Sequence, residues 1–309
     1  METLPKMLKE VVEKYPQIAA QYSKDTKGQF QPISFSEMYD IALNFGAGLL
    51  SLGVSRGEQI GLISDNRKEW QQSDMGIMAI GAIDVPRGCD ASEKDLAYIL
   101  SFAECKTVIV ENSAQITKIV GLIKSIPTLV HFICFESLKA EDQKLCESVN
   151  ITLLSYEEVL SRGISYRKEN PLVVEKELEK GKREDLACII FTSGTTGEPK
   201  GVMLQHSNFI VQLEDLPKRI YLKPGDKALC VLPVWHAFQR LCEYMILVQA
   251  SAICYSKPVG SIMLADFMKL NPRLMPAVPR VFEAVYEGVM RSMRKTGGVV
   301  NALFKFFLS

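Results

Sequence analysis

Short apolar runs alternate with segments of helical spacing along most of the chain. At the N-terminus, Leu4, Leu8, Val11, Tyr15 and Ile18 recur at the helical period, which predicts a surface helix with one buried stripe. In "ISFSEMYDIALNFGAGLLSLG" the spacing of Ser34 and Glu37 predicts a capping box, Ile33 and Met38 a staple across it, and Gly53 a left-handed stop. A strand-like "QIGLIS", a helix around Trp70 to Ile80 and a short "AIDVP" follow. Ser92 and Asp95 then open a helix with Leu96, Ile99 and Leu100 on one face. The runs "KTVIV", "LVHFICF" and "ITLL" read as further strands.

These runs are continuous and rich in β-branched residues, as expected of strands buried on both faces. That favours parallel pairing with helical crossovers, an α/β fold. No repeat or low-complexity tract interrupts the order. Arg162 to Asp185 is dense in charges of both signs and reads as a solvated helix or connection.

Composition narrows the class without deciding it. The 309 residues carry 47% apolar and 23% charged side chains, and lysine plus arginine balance aspartate plus glutamate at 36 each. No global positive field draws such a chain to nucleic acid. The eight cysteines include no C-x-x-C pair and read as buried thiols of a reducing cytoplasm, not as metal ligands. Charges at Lys6, Lys9, Glu10, Glu13 and Lys14 rule out a signal peptide, and the most apolar interior stretch, "MGIMAIGAIDVP", is too short to span a bilayer.

The densest chemistry lies in "FTSGTTGEPKG", Phe191 to Gly201. "LACIIF" reads as a strand leading into it and "GVMLQH" as a strand leaving it, after which Ser207 or Asn208 caps a helix to about Leu216. A Walker loop needs G-x-x-x-x-G-K-[ST] and runs directly into a helix, so neither its spacing nor a helix dipole applies here. Glycines 194, 197 and 201 let backbone approach a ligand, and successive N–H groups can form an anion nest. Thr192, Ser193, Thr195 and Thr196 add hydroxyls and Lys200 a cation. The bland alternative is a polar hairpin turn.

At these residues the chain resembles the adenylate-forming superfamily of acyl-CoA synthetases, peptide-synthetase adenylation domains and luciferases. "FTSGTTGEPKGVML" is similar to its phosphate loop. "ISDNRKEW" (63–70), "PAVPRVFEAVYEGV" (276–289) and "NALFKFF" (301–307) resemble the long-chain fatty acyl-CoA synthetases, and "LPVWHAFQR" (232–240) resembles the P-x-x-H segment beside the acyl site. "VPRGCD" (85–90) departs from that subgroup's "VPLYPT".

The resemblance implies the N-terminal region of the adenylate-forming fold: two helix-flanked sheets, the second incomplete. One lobe would span about 59–221 with the phosphate loop at 191–201, and the other about 1–58 with 222–309. It implies activation of a long-chain fatty acid with ATP and Mg²⁺, then transfer to CoA. Thr192, Ser193, Gly194, Thr195, Thr196, Gly197 and Lys200 would hold phosphate, and Trp235 and His236 would border the acyl–adenylate pocket. No resident metal site is expected.

The superfamily's Tyr-Gly-x-Thr-Glu segment, ribose-gripping aspartate and C-terminal lysine have no counterpart after Gly201. The expectation is therefore the N-terminal half of a ligase, unable to finish the reaction alone. The alternative is a non-catalytic nucleotide- or partner-binding protein. Trp235, Phe238 and Tyr244 line an acyl tunnel or simply pack a helix. His206 orients the helix start at Ser207, and His131 is core. Arg280 reads as structural, a helix-start ion pair, more than as a positioning residue. The apolar tail "VVNALFKFFLS" packs on further sequence or touches a membrane surface, so the location expected is cytoplasmic with peripheral membrane contact as an option.

Overall fold

The computed structural model describes residues 1–192 and 198–296, with 298 and 304. The chain begins with α1 (Leu4–Lys14), β1 (Ala19–Lys24), β2 (Phe30–Ser34) and α2 (Phe35–Ser51). A strand–helix alternation follows: β3 (Gln59–Ile63), α3 (Lys68–Ala79), β4 (Ile83–Arg87), α4 (Glu93–Phe102), β5 (Thr107–Val110), α5 (Ser113–Val120), β6 (His131–Cys134), α6 (Ala140–Glu147) and β7 (Thr152–Ser155). Helices α7 (Tyr156–Glu169) and α8 (Val173–Lys180) lead to the hairpin β8 (Leu186–Thr192) and β9 (Lys200–Gln205). Then come α9 (His206–Arg219), β10 (Lys227–Cys230), α10 (Ala237–Val248), β11 (Ala252–Tyr255), α11 (Gly260–Leu270) and α12 (Pro279–Thr296).

Two sheets form among the described residues. The larger has seven strands in the order β7-β6-β5-β3-β4-β8-β9, all parallel except the antiparallel β8–β9 pair. The smaller has the order β10-β11-β1-β2 and joins strands from both ends of the sequence.

Helices α2 and α3 lie between the sheets. Phe35 and Met38 of α2 and Met75 and Met78 of α3 pack with Ala20 and Ile253 of the smaller sheet and Cys188 of the larger. Phe45 and Leu49 of α2 and Trp70 and Ile77 of α3 pack with Ile60 and Leu62 of the larger. A polar chain crosses the same layer: Tyr156 Oη donates to Gln72 Oε1, Gln72 Nε2 to Gln21 Oε1, and Gln21 Nε2 to Tyr255 Oη, at 3.1, 2.9 and 2.8 Å. Buried polar groups need such partners. Helices α4, α5 and α6 cover the far face of the larger sheet, and α11 that of the smaller. The result is an α/β fold of two helix-flanked sheets.

Local chemistry sets the element ends. Ser34 and Glu37 form the reciprocal capping box of α2, Ile33 and Met38 share one cluster, and Gly53 follows that helix at φ +85°. Helix α1 stops at Lys14 and does not reach Ile18, because Pro16 disfavours helical geometry at Tyr15, which sits at φ −135°. The charged stretch after Arg162 forms parts of two helices, and α8 buries Val174 and Leu178 beneath its charges. Helix α2 meets α7 at backbone contact: a Cβ on Gly163 would lie 1.7 Å from the Asn44 carbonyl.

Candidate active site

The parallel strands of the larger sheet end together at one edge. Asp84 pairs with Cys188, so Arg87 and Phe191 each lie three residues further along neighbouring parallel strands. Helix α3 leaves β3 on one face of the sheet and α4 leaves β4 on the other. A crevice outside the carboxyl ends of strands at such a switch is where ligands bind in open α/β sheets.

The glycine–hydroxyl loop springs from this edge. Its stem is the antiparallel hairpin, with Thr192 opposite Lys200 and Phe191 opposite Gly201. Thr192 and Lys200 are both exposed. Phe191 is buried and fixes the entry: it meets the rings of Tyr98 and Phe102 of α4 edge-on, at 6.4 and 6.0 Å. Ser193, Gly194, Thr195, Thr196 and Gly197 lie outside the described residues. The connection is a hairpin, yet its stem presents a hydroxyl and an ammonium side by side, a combination suited to a phosphate.

The segment Leu232–His236 is held at the same edge. Asn66, in the turn between β3 and α3, donates to the Leu232 carbonyl at 2.6 Å and accepts from Val234 N at 2.9 Å. One amide thus pins both sides of Pro233. The Arg87 guanidinium lies 5.1 Å from the Trp235 ring centroid. The indole also rests on Gly88, where a Cβ would fall 2.4 Å from Trp235 Nε1. The departure "VPRGCD" is therefore the seat of Trp235. His236 is exposed, forms the N-cap of α10 and has its ring centroid 6.2 Å from that of Trp235.

Behind His236, Arg240 is completely buried. Its Nη1 and Nη2 donate to Asp84 Oδ2 and Oδ1 at 2.8 and 2.6 Å, Nη2 also donates to Asp74 Oδ1, and Nε donates to Tyr244 Oη at 2.7 Å. Tyr244 Oη in turn donates to Asp74 Oδ2 at 2.7 Å. Burial raises the pKa of Asp74, and the attraction of Arg240 only partly offsets it. The cluster ties α10 to α3 and β4 and so fixes the helix that begins at His236. Tyr244 packs here and not along an open surface, whereas Phe238 is exposed. Arg240 was not singled out from sequence. Its signal was Asp84, a lone acid between Ile83 and Val85 in a buried strand, which demands a buried cation.

Glu243, one turn on, is equally buried. Burial pushes its carboxyl up to about 8, opposed by a 3.0 Å hydrogen bond from Gln239 Nε2. His206 does not serve its own helix start: its Nδ1 accepts from Leu4 N at 3.3 Å and caps α1. Helix α9 is capped by the Gln205–Asn208 pair instead of by Ser207, and it runs past Leu216 to Arg219. His131 is only half-buried at the start of β6. Arg280 opens α12. Asp65, Cys89 and Glu111 bring oxygen and sulfur atoms within 4.8 Å at the same strand edge. Glu111 Oε2 there accepts from Ser64 Oγ and Asp65 N at 2.9 and 2.8 Å, bracing the turn that carries Asn66. All eight cysteines are free thiols, six of them buried.

The AMP-binding enzyme family matches residues 8–303. The chain belongs to that family. A chloroplastic long-chain-fatty-acid–[acyl-carrier-protein] ligase of Arabidopsis thaliana is 31% identical over 264 residues, 84% of this chain and 36% of that protein. Long chain acyl-CoA synthetase 4 of the same plant is 28% identical over 312 residues, 95% of this chain and 44% of that protein. The adenylation–carrier didomain of carboxylic acid reductase from Segniliparus rugosus, solved with AMP, superposes with a TM-score of 0.79 at 18% identity, covering 96% of this chain and 45% of that one. The N-terminal domain of FACL13 from Mycobacterium tuberculosis gives 0.72 at 20%, covering 92% and 65%. These likenesses show the fold. The chain spans between 36% and 45% of the length of the curated relatives it matches.

Proposed function

We propose that this AMP-binding chain supplies the phosphate-gripping and carboxylate-facing surfaces for ATP-dependent activation of a long-chain fatty acid. The fatty carboxylate oxygen attacks the α-phosphorus of ATP, pyrophosphate leaves, and a thiol then takes the acyl group from the acyl-adenylate with release of AMP. Thr192, Ser193, Gly194, Thr195, Thr196, Gly197 and Lys200 hold the β- and γ-phosphates as they depart, and Mg²⁺ accompanies ATP as its counter-ion. Trp235 and His236 border the carboxylate. The thiol is that of CoA. The names of the relatives include both CoA synthetases and an acyl-carrier-protein ligase.

What supports this reading is the pairing of Thr192 with Lys200 on the strand next to the one that seats Trp235. Such chemistry needs charge neutralisation and in-line placement more than covalent participation. Residues 1–309 hold no counterpart of the superfamily's metal-, ribose- and lysine-bearing segments, so these residues by themselves do not complete acyl-CoA synthesis.

The test has two measurements. Calorimetry should show Mg·ATP binding that Lys200→Ala weakens; absence of binding, or an indifferent variant, would refute the phosphate loop. Pyrophosphate release with ATP, palmitate and CoA should stay far below that of a complete synthetase. Comparable turnover would show that the chain is sufficient.

A further inference from the structure

One partly buried cation at the carboxyl edge of the larger sheet has no hydrogen-bonded partner among the described residues. Arg67, Arg167, Arg183 and Arg240, the other described arginines withdrawn from full exposure, each donate to a carboxylate at 2.8 to 3.0 Å. Arg87, at the end of β4, does not. Its Nε is buried without a partner, and its Nη2 lies 3.8 Å from Asp95 Oδ2, too far for a hydrogen bond. The side chain is still 24% exposed, so a solute reaches it. Unused donors taken out of water cost free energy, and an anion that reaches them recovers it. Where the long-chain synthetases' "VPLYPT" has a leucine, "VPRGCD" has this arginine, so the cation is no part of that resemblance.

The surroundings of Arg87 give it a place in the reaction. On one side β8 runs parallel to β4, and Phe191 stands level with Arg87, one residue before Thr192. On the other side the guanidinium stacks 5.1 Å from the Trp235 ring centroid, next to His236. Stacking on an aromatic face fixes the plane of the fork and leaves its N–H edge for an oxyanion. Displacement at the α-phosphorus puts the attacking carboxylate oxygen, the phosphorus and the departing pyrophosphate in line. With the β- and γ-phosphates at Thr192 and Lys200 and the carboxylate at Trp235 and His236, the α-phosphate falls between them. The strand end between them carries Arg87.

We propose that Arg87 binds the α-phosphate of the nucleotide, in ATP, in the acyl-adenylate and in AMP alike. Two of its N–H groups donate to the non-bridging oxygens, a charge-assisted contact of the kind guanidinium makes with phosphate. As the carboxylate oxygen bonds to the α-phosphorus, the bond to the pyrophosphate oxygen breaks and its electron pair leaves with pyrophosphate. Arg87 steadies the charge on the phosphoryl oxygens and neither gives nor takes a proton. The inference rests on the function proposed above for the placement of the other phosphates and of the carboxylate.

Calorimetry on the 309-residue chain with Mg·ATP, AMP and Mg·pyrophosphate separates the two. Arg87→Met keeps a long side chain against Trp235 without the charge. It should weaken AMP and Mg·ATP by about tenfold or more each and leave Mg·pyrophosphate unchanged. Arg87→Lys should recover part of that loss, because an ammonium keeps the charge and not the fork. Lys200→Ala should show the opposite selectivity, with Mg·ATP and Mg·pyrophosphate weakened and AMP unchanged. Circular dichroism verifies the fold of each variant. AMP binding indifferent to Arg87→Met overturns the proposal, even where Lys200→Ala behaves as expected. So does an equal loss of all three ligands, which would make Arg87 only a support for Trp235. An indifferent Lys200→Ala beside a selective Arg87→Met would strike the phosphate loop and spare this contact. No binding of any of the three by the unaltered chain overturns both.

Discussion

Arg240 and Asp84 meet through two parallel hydrogen bonds of 2.8 and 2.6 Å, both side chains wholly buried and 156 residues apart in the chain. A bidentate guanidinium–carboxylate pair of this kind sets position as well as energy. With Asp74 on the same guanidinium, two carboxylates share one cation.

Removing that cation leaves two uncompensated buried acids. Arg240→Ala should lose roughly 3–5 kcal/mol in urea unfolding, the range for breaking a buried pair. Arg240→Lys should recover only part, because an ammonium cannot serve Asp84 bidentately and still reach Tyr244. An alanine variant as stable as the wild type would show that the cluster holds nothing in place.

Glu243 gives stability a pH dependence of definite sign. Its folded pKa, about 8, lies above the ordinary 4.5, so the folded chain binds more protons than the unfolded one. Its contribution is therefore intact below about 4.5 and is lost as pH rises from there to about 8. Glu243→Gln should flatten that decline and gain on the order of a few kcal/mol at pH above the folded value. Equal slopes for the two proteins in unfolding curves across this window would refute the assignment.

Lys200→Ala removes one charge-assisted contact to phosphate. The expected loss in Mg·ATP affinity is about 1.5–3 kcal/mol, roughly ten- to 150-fold in Kd. Thr192→Val should cost less, since a neutral hydroxyl contact is worth about 1 kcal/mol. Titration calorimetry on both variants gives the ranking, and a larger loss at Thr192 would reverse it.

Gly88→Ala should unseat Trp235. The added Cβ would lie 2.4 Å from Nε1, which forces the indole or the turn to shift. The chain has two tryptophans, and Trp70 is fully buried, so a change in exposed emission reports on Trp235. A red shift with little change in unfolding midpoint is expected. An unchanged spectrum would mean that the turn yields instead.

Much of the fold was legible because its signals are local. The capping box at Ser34 and the β-branched runs of β3 to β7 each lie within a few residues. The hairpin stem of the glycine loop was likewise readable from "LACIIF" and "GVMLQH". What escaped was tertiary. The His206–Leu4 contact spans 202 residues and the Arg240–Asp74 pair 166, so no periodicity encodes them. The start of α9 was misplaced for a subtler reason. Ser207 and Asn208 are both good N-cap types, but Asn208 Oδ1 turns back to Gln205 N at 2.8 Å, which makes Gln205 the boundary. That helix was expected to end at about Leu216, yet it runs on to Arg219 with Pro217 in its last turn, where a single lost hydrogen bond is tolerated.

The smaller sheet also constrains the order of events on the ribosome. Gln21 of β1 pairs in register with Ile253 of β11, so β1 waits for a strand that leaves the ribosome much later. At about 5–20 residues per second, synthesis of the intervening chain takes roughly ten to fifty seconds. During that interval the larger sheet, built from consecutive strands, has every partner it needs, while β1 and β2 have only each other. A two-stranded ribbon is marginal on its own. The β1–β2 ribbon therefore emerges long before the strand that completes its pairing, and Ala20 and Phe35 stay uncovered until that strand follows.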